Sequence, residues 1–173
     1  MRLIRRITDS DVLGGVPELM SFISRHGSRG VLVDNKSNVA MMYMAQFNLY
    51  KLPGGGIEEG ENAREAFLRE IKEETGYDAG IIHELGYIEE HKKRNDYMQY
   101  SYCYVARANN KQSNPTLSES EMQLGMVVEW MTIDKAIEVM NDSLLNCNDY
   151  SDKFMIIRDK TILEEAIHLL TGA

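Results

Sequence analysis

The stretch Leu52–Tyr77, LPGGGIEEGENAREAFLREIKEETGY, concentrates the residues of this chain that could do chemistry. It holds seven glutamates against Arg64, Arg69 and Lys72, a local net charge of −4 and half of the −8 carried by the whole chain. At about 100° per helical residue, Glu70, Glu73 and Glu74 stand at i, i+3 and i+4, so their carboxylates share one face and repel. Glu74 falls about 20° from Phe67 and Glu70 about 20° from Ala63, beside the apolar stripe Ala63, Ala66, Phe67, Ile71. Partly desolvated carboxylates in a cluster are costly unless neutralised, and a hard divalent cation such as Mg²⁺ takes oxygen ligands. A metal site is the reading this pattern favours. The alternative is a solvated acidic helix laced by pairs such as Glu65 with Arg69 and Arg69 with Glu73.

The loop before the helix decides between them. Pro53 followed by Gly54, Gly55 and Gly56 suits neither strand nor helix; three glycines belong where backbone must adopt positive φ or come close to a ligand. Backbone N–H groups exposed there can meet phosphate oxygens. The patterns GxxxxGK[ST] and GxGxxG are both absent, and Asp34–Asn38 lacks the glycine and closing glutamate of a calcium loop.

These residues need a scaffold, and the spacing predicts one. Asn62–Thr75 is the best-marked helix, with Asn62 as N-cap, Glu65 completing a capping box and Gly76 as the left-handed stop. Further helices are predicted over Ile133–Asn141 and Asp152–Leu170, with a short one over Val16–Arg25. Strands are predicted over Gly30–Asp34, Val39–Gln46, Ile81–Glu89, Met98–Ala106 and Met126–Thr132. Asn109–Pro115 and Asn141–Tyr150 read as loops. The order implies an α/β fold, a mixed sheet between helices.

Composition narrows the function. At 173 residues, with 43% apolar and 27% charged residues and 3 prolines, the chain is expected to form a single globular domain over 1–173. Its 27 acidic against 19 basic residues argue against stable nucleic-acid binding. Cys103 and Cys147 lack CxxC pairing, so free thiols are expected and neither a disulfide framework nor a zinc site. No apolar run has signal-peptide or bilayer-spanning length, so no membrane role and a cytoplasmic location are expected.

Gly55, Glu61, Arg69, Glu70, Ile71, Glu73, Glu74, Gly76 and Tyr77 together resemble the box of the Nudix hydrolase superfamily at every required spacing. Tyr77 alone departs, being aromatic where an aliphatic is usual. Tyr50, Lys51 and Leu52 lead into the glycines as such proteins usually do. The resemblance implies a Nudix-type α/β/α sandwich and a Mg²⁺-dependent (or Mn²⁺-dependent) pyrophosphohydrolase. Its substrate would be a nucleoside diphosphate linked to another moiety, either a nucleoside triphosphate or another nucleoside diphosphate derivative.

By the same resemblance Glu70, Glu73 and Glu74 would be metal ligands, Glu70 would also orient or deprotonate water, and Arg69 would orient the glutamates. Gly55 and Gly56 would shape the substrate loop. In some members a glutamate outside the box is the base; Glu119 and Glu121 occupy that region here, with Glu121 preferred. Arg29, Lys51 and Arg107, at predicted strand ends, are candidates to meet phosphate, with Arg29 the one carried forward. The basic run His91–Arg94 reads as a solvated hairpin tip, and His26, His83 and His168 have no partners at ligand spacing. The proline or tyrosine that marks certain substrates in the family would fall around Lys93 and Arg94, and neither is there. Relatives are often dimers, so a homodimer is an expectation of the resemblance. The competing function is a non-catalytic Nudix-fold module that binds a nucleotide metabolite and regulates.

Overall fold

A computed structural model describes residues 1–172, with Lys111 and Gln112 described by backbone alone. Its elements, in chain order, are β1 (Leu3–Thr8), α1 (Asp9–Leu13), β2 (Arg25–Val33), β3 (Asn38–Met44), β4 (Leu49–Lys51) and β5 (Gly54–Gly56). There follow α2 (Ala63–Thr75), β6 (Tyr77–Lys92), β7 (Tyr97–Gln112), α3 (Glu119–Gln123), β8 (Met126–Thr132), α4 (Ile133–Asn146) and α5 (Tyr150–Thr171).

The strands form one mixed sheet in the order β1-β6-β7-β2-β3-β4, with β5 added on β2 and β8 on β3. The pairs β1/β6 and β2/β7 are parallel and the others antiparallel. Because successive strand residues face opposite sides, the sheet sorts its apolar residues into two layers. Val31 and Val33 of β2, Val39 and Met41 of β3, and Cys103 and Val105 of β7 pack with Met140 of α4 and Phe154, Ile156 and Ile162 of α5. Leu32, Ala40, Tyr104 and Ala106, the alternate residues, pack with Phe67 and Ile71 of α2. Helices therefore cover both faces, and the expected α/β/α sandwich is what forms.

The ends of α2 are written locally. Asn62 and Glu65 form the reciprocal capping box, and Gly76 closes the helix in the left-handed region at φ 79°. A Cβ at Gly76 would meet the Ser113 carbonyl oxygen at 1.9 Å, so glycine is required by space as well as by φ. Phe67, fully buried, stacks on Tyr104 with ring centroids 5.8 Å apart and fixes the height of the helix above the sheet. Tyr77, the aromatic departure in the box, packs edge-on against Trp130 of β8 at 5.4 Å.

Several elements differ from expectation. The helix expected over Val16–Arg25 does not form: the segment is irregular and Arg25 opens β2. Gly14 and Gly15 have positive φ, Pro17 follows, and Val16, Leu19 and Phe22 are exposed, so no apolar face is buried to stabilise a short helix. The helix in this region is α1, and it follows an edge strand, β1, whose Arg5 and Arg6 masked the strand pattern. The strands β2, β6 and β7 run beyond their expected ends, and α4 runs through residues to Asn146 that read as loop. Glu121, expected in a loop, sits in α3, a single turn capped by Ser118.

Phe67→Ala removes the contact that seats α2 without touching its charges. It is expected to lower unfolding free energy by about 3–5 kcal/mol, read by urea denaturation with an unchanged denaturant slope.

Candidate active site

The box loop and helix bring their charged side chains together through one guanidinium. Arg69 donates from Nε and Nη2 to the two carboxylate oxygens of Glu61, at 3.1 and 2.8 Å. Its Nη1 donates to Glu70 and to Glu73, both at 3.0 Å, and Nη2 also reaches the Gly56 carbonyl at 3.0 Å. Its pKa is raised, first by the Glu61 hydrogen bonds and further by Glu70, so the clamp stays charged.

Glu74, next on the same face, turns the other way. It is buried and accepts from Lys51 Nζ at 2.7 Å and from the Gly54 N–H at 3.0 Å. Burial outweighs both donors and pushes its carboxyl up to about 7, with the charge of Glu70 adding to the rise. Glu70 is likewise raised, again by burial, against the pull of Arg69. Glu121 of α3 reaches Glu74; its own burial works to raise its pKa, but the Ser118 hydrogen bonds, Lys51 and the Glu74 contact together hold it low. Of this touching pair Glu74 is therefore the hydrogen-bond donor and Glu121 the acceptor.

The glycines make room for charges. A Cβ on Gly55 would meet Glu70 Oε1 at 2.3 Å, one on Gly56 would meet Arg25 Nη2 at 2.8 Å, and one on Gly27 would meet Arg29 Nη2 at 2.9 Å. The strand β5 that carries two of them pairs with β2 at Gly27, Ser28 and Arg29, which lays the box loop over the start of β2. Beside it opens a cavity of about 420 Å³ lined by Arg29, Lys51, Gly54 and Gly55 from this region and by Lys92 and Arg158 from elsewhere.

A NUDIX domain model matches residues 24–147. The chain belongs to the Nudix family. A putative 8-oxo-dGTP diphosphatase of Bacillus subtilis (strain 168) is 35% identical over 60 residues, 35% of this chain and 40% of that protein's length. A methanol dehydrogenase activator of Bacillus methanolicus is 23% identical over 174 residues, 94% of this chain and 86% of that protein. The crystal structure of a UDP-X diphosphatase superposes with a TM-score of 0.57 at 16% identity, covering 90% of this chain and 66% of that one, and shares the fold.

Among the described residues no three histidine, cysteine, aspartate or glutamate side chains converge as a ready metal cage. Glu70 and Glu73 are drawn to Arg69, and Glu74 to Lys51. The donor set nevertheless fits a Nudix divalent cation. It is all oxygen, Gly55 leaves space against Glu70, and Glu70 and Glu74 are desolvated by burial.

The remaining candidates divide. Arg29 is buried beneath the box loop and lines the cavity, whereas Arg107 is exposed and donates to the Asp34 carbonyl at 3.4 Å. Glu119 is exposed. The solvated hairpin tip expected at His91–Arg94 is corrected at its first two residues. His91 is buried, accepting from the Met20 N–H at 2.9 Å and facing Glu89 at 2.9 Å, because β6 carries it under the sheet edge. Lys92 lies 5.5 Å from the Phe154 ring centre of α5. Gln99 and Arg158 also line the cavity, brought there by β7 and α5, and no local sequence signal marks either.

The raised Glu74 carboxyl sets a pH dependence. Its folded value of about 7 exceeds the usual 4.5, so the stability it contributes is complete below about pH 4.5 and lost as pH rises through 7. Glu74→Gln abolishes this titration. Measured in a metal chelator by urea denaturation, its stability relative to the parent is expected to rise by on the order of 3 kcal/mol between about pH 4.5 and pH 8.

Proposed function

We propose that this chain is a Mg²⁺-dependent pyrophosphohydrolase, with Mn²⁺ able to substitute. Its substrate is a nucleoside diphosphate linked to another moiety, a nucleoside triphosphate or another nucleoside diphosphate derivative. The single observation that carries this reading is the pairing, across one glycine loop, of an all-carboxylate helix face with a cavity lined by cations. Only a charged substrate bridged to carboxylates by a cation uses both. The diphosphatase name of the Bacillus subtilis relative supports the same reaction class, and two free cysteines accord with a cytoplasmic enzyme. In this reading the chain works as one domain.

Glu70, Glu73 and Glu74 are the residues to hold the cation. When bound, Mg²⁺ neutralises phosphate oxygens and lowers the pKa of its water. Arg69 acts through the glutamates, fixing Glu70 and Glu73 on one side of the helix so that both carboxylates face the loop. Gly55 and Gly56 keep the loop free of side chains, letting Glu70 and Arg25 lie flat against it. Glu121, ionised beside Glu74, is the group placed to accept a proton. Arg29 and Lys51 supply positive charge where phosphate oxygens arrive.

A panel of nucleoside triphosphates, ADP-ribose, nucleotide sugars and dinucleoside polyphosphates, assayed with and without Mg²⁺, tests the reading. Metal-dependent hydrolysis of one class is expected. Glu73→Gln, at a half-exposed position, is expected to keep the fold and lose turnover by about 100-fold or more. Full activity of that variant with unchanged Mg²⁺ dependence would remove Glu73 from the ligand set. Silence across the panel with nucleotide binding retained would make the protein a non-catalytic nucleotide-binding regulator.

A further inference from the structure

The cavity beside the box loop carries more positive charge than the chain itself neutralises. Arg158 of α5 is paired twice, with Asp159 at 2.7 Å and with Glu90 at 3.3 Å, and Lys51 is paired with Glu74. Arg25, Arg29 and Lys92 also line the cavity, and among the described residues none of the three has a carboxylate within ion-pair distance. Among the described residues Asp152 is the one carboxylate on the wall, while Glu90 and Asp159 act on Arg29, and Glu90 on Lys92, from outside it.

Arg29 is the sharpest case. Only 4% of its surface is exposed, and its Nε donates to the Ser101 hydroxyl at 3.1 Å. The buried carboxylates of Asp159 and Glu90 attract its charge without an ion pair, and burial outweighs that attraction. Burial, and next the charge of Arg158, pull its pKa down to about 10. Gly27 is needed for its guanidinium to lie where it does.

Lys92 of β6 lines the same cavity as a second cation. Its ammonium sits 5.7 Å from the Tyr97 ring centre and 5.5 Å from that of Phe154, and its pKa is lowered by burial. Arg158 stands on α5, beyond the residues 24–147 matched by the family model.

We propose that Arg29, Lys92 and Arg158 form an anion subsite for a phosphoryl group beyond the two that flank the bond cleaved. The chain then binds nucleoside triphosphates more tightly than nucleoside diphosphates capped by an uncharged sugar. The word substrate rests on the hydrolase reading; the subsite rests on the cavity. Lys51, Gly54 and Gly55 of the lining adjoin Glu70 and Glu74, and Lys92 and Arg158 reach the same cavity from β6 and α5. A diphosphate beside the glycine loop leaves Lys92 and Arg158 to its other substituent. An uncharged hexose there leaves Arg29 and Lys92 unpaired, whereas a phosphoryl group pairs with both, and the planar arginine fork suits its oxygens.

Binding to the full chain in excess EDTA, followed by calorimetry, tests this without turnover. The probes are UTP, UDP-glucose and inorganic tripolyphosphate. UTP and tripolyphosphate are expected to saturate, with UTP at least about tenfold tighter than UDP-glucose, a difference of about 1.4 kcal/mol. Lys92→Gln, at a partly exposed position with low risk to folding, is expected to erase most of that preference, and Lys92→Arg to restore it. Equal affinity for UTP and UDP-glucose, or a preference unchanged in Lys92→Gln, would overturn the subsite. Because no metal or hydrolysis is involved, a chain that shows the preference yet cleaves nothing would retain the subsite and lose the hydrolase reading. A chain that cleaves nucleotides without the preference would do the reverse.

Discussion

One guanidinium holds the candidate site in register. Arg69 joins Glu61 of the loop, Glu70 and Glu73 of the helix and the Gly56 carbonyl of the glycine strand. Without it, two carboxylates three residues apart on one helix would repel and turn towards solvent. With it, the loop is tied to the second turn of α2, and the backbone stays close to Glu70. An arginine suits this position because its five fixed donors reach several acceptors at once, which a lysine ammonium on a flexible stem does not. The rest of the sandwich serves the clamp: Phe67 on Tyr104 sets the helix height, and β5 on β2 sets the loop.

The charge pattern on either side of that clamp explains why the site is built of opposites. The helix carries more glutamates than cations, and burial, with a smaller contribution from neighbouring glutamates, raises the Glu70 and Glu74 carboxyls. The cavity wall carries the reverse imbalance at Arg25, Arg29 and Lys92. Lys51 joins the two sides through Glu74, while among the described residues Arg25, Arg29 and Lys92 have no ion pair. A divalent cation on one side and phosphate oxygens on the other satisfy both. The stability lost to unpaired buried charge is thus stored as binding energy for a ligand that brings both signs.

The local half of this was legible in the sequence, and the long-range half was not. The helix and its caps follow from spacing over a few turns and appear as expected, whereas Glu74 turns to Lys51 while Glu70 and Glu73 turn to Arg69. The glycine triplet was legible as a need for close approach, but what approaches Gly55 and Gly56 is Glu70 and Arg25, the second of them from a strand about thirty residues earlier in the chain. Tyr77 looked like a mismatch until β8 brought Trp130 against it. Lys92 and Arg158 reach the cavity through β6 and α5; Lys92 sits in the basic run that reads as a hairpin tip, and no pattern marks Arg158. The helix expected near Val16 failed for the converse reason: its apolar residues had periodicity but no surface to bury them on.

The central claim is that the carboxylates of α2 form a cation site whose buried member, Glu74, carries a proton near neutral pH until the cation arrives. Calorimetric titration of Mg²⁺ into the metal-free chain at about pH 7, in two buffers of different ionisation enthalpy, measures both halves together. Saturable binding is expected, with net proton release that shrinks at about pH 8.5, where Glu74 is already ionised. Absence of saturable binding, or binding with no proton released at either pH, would contradict it.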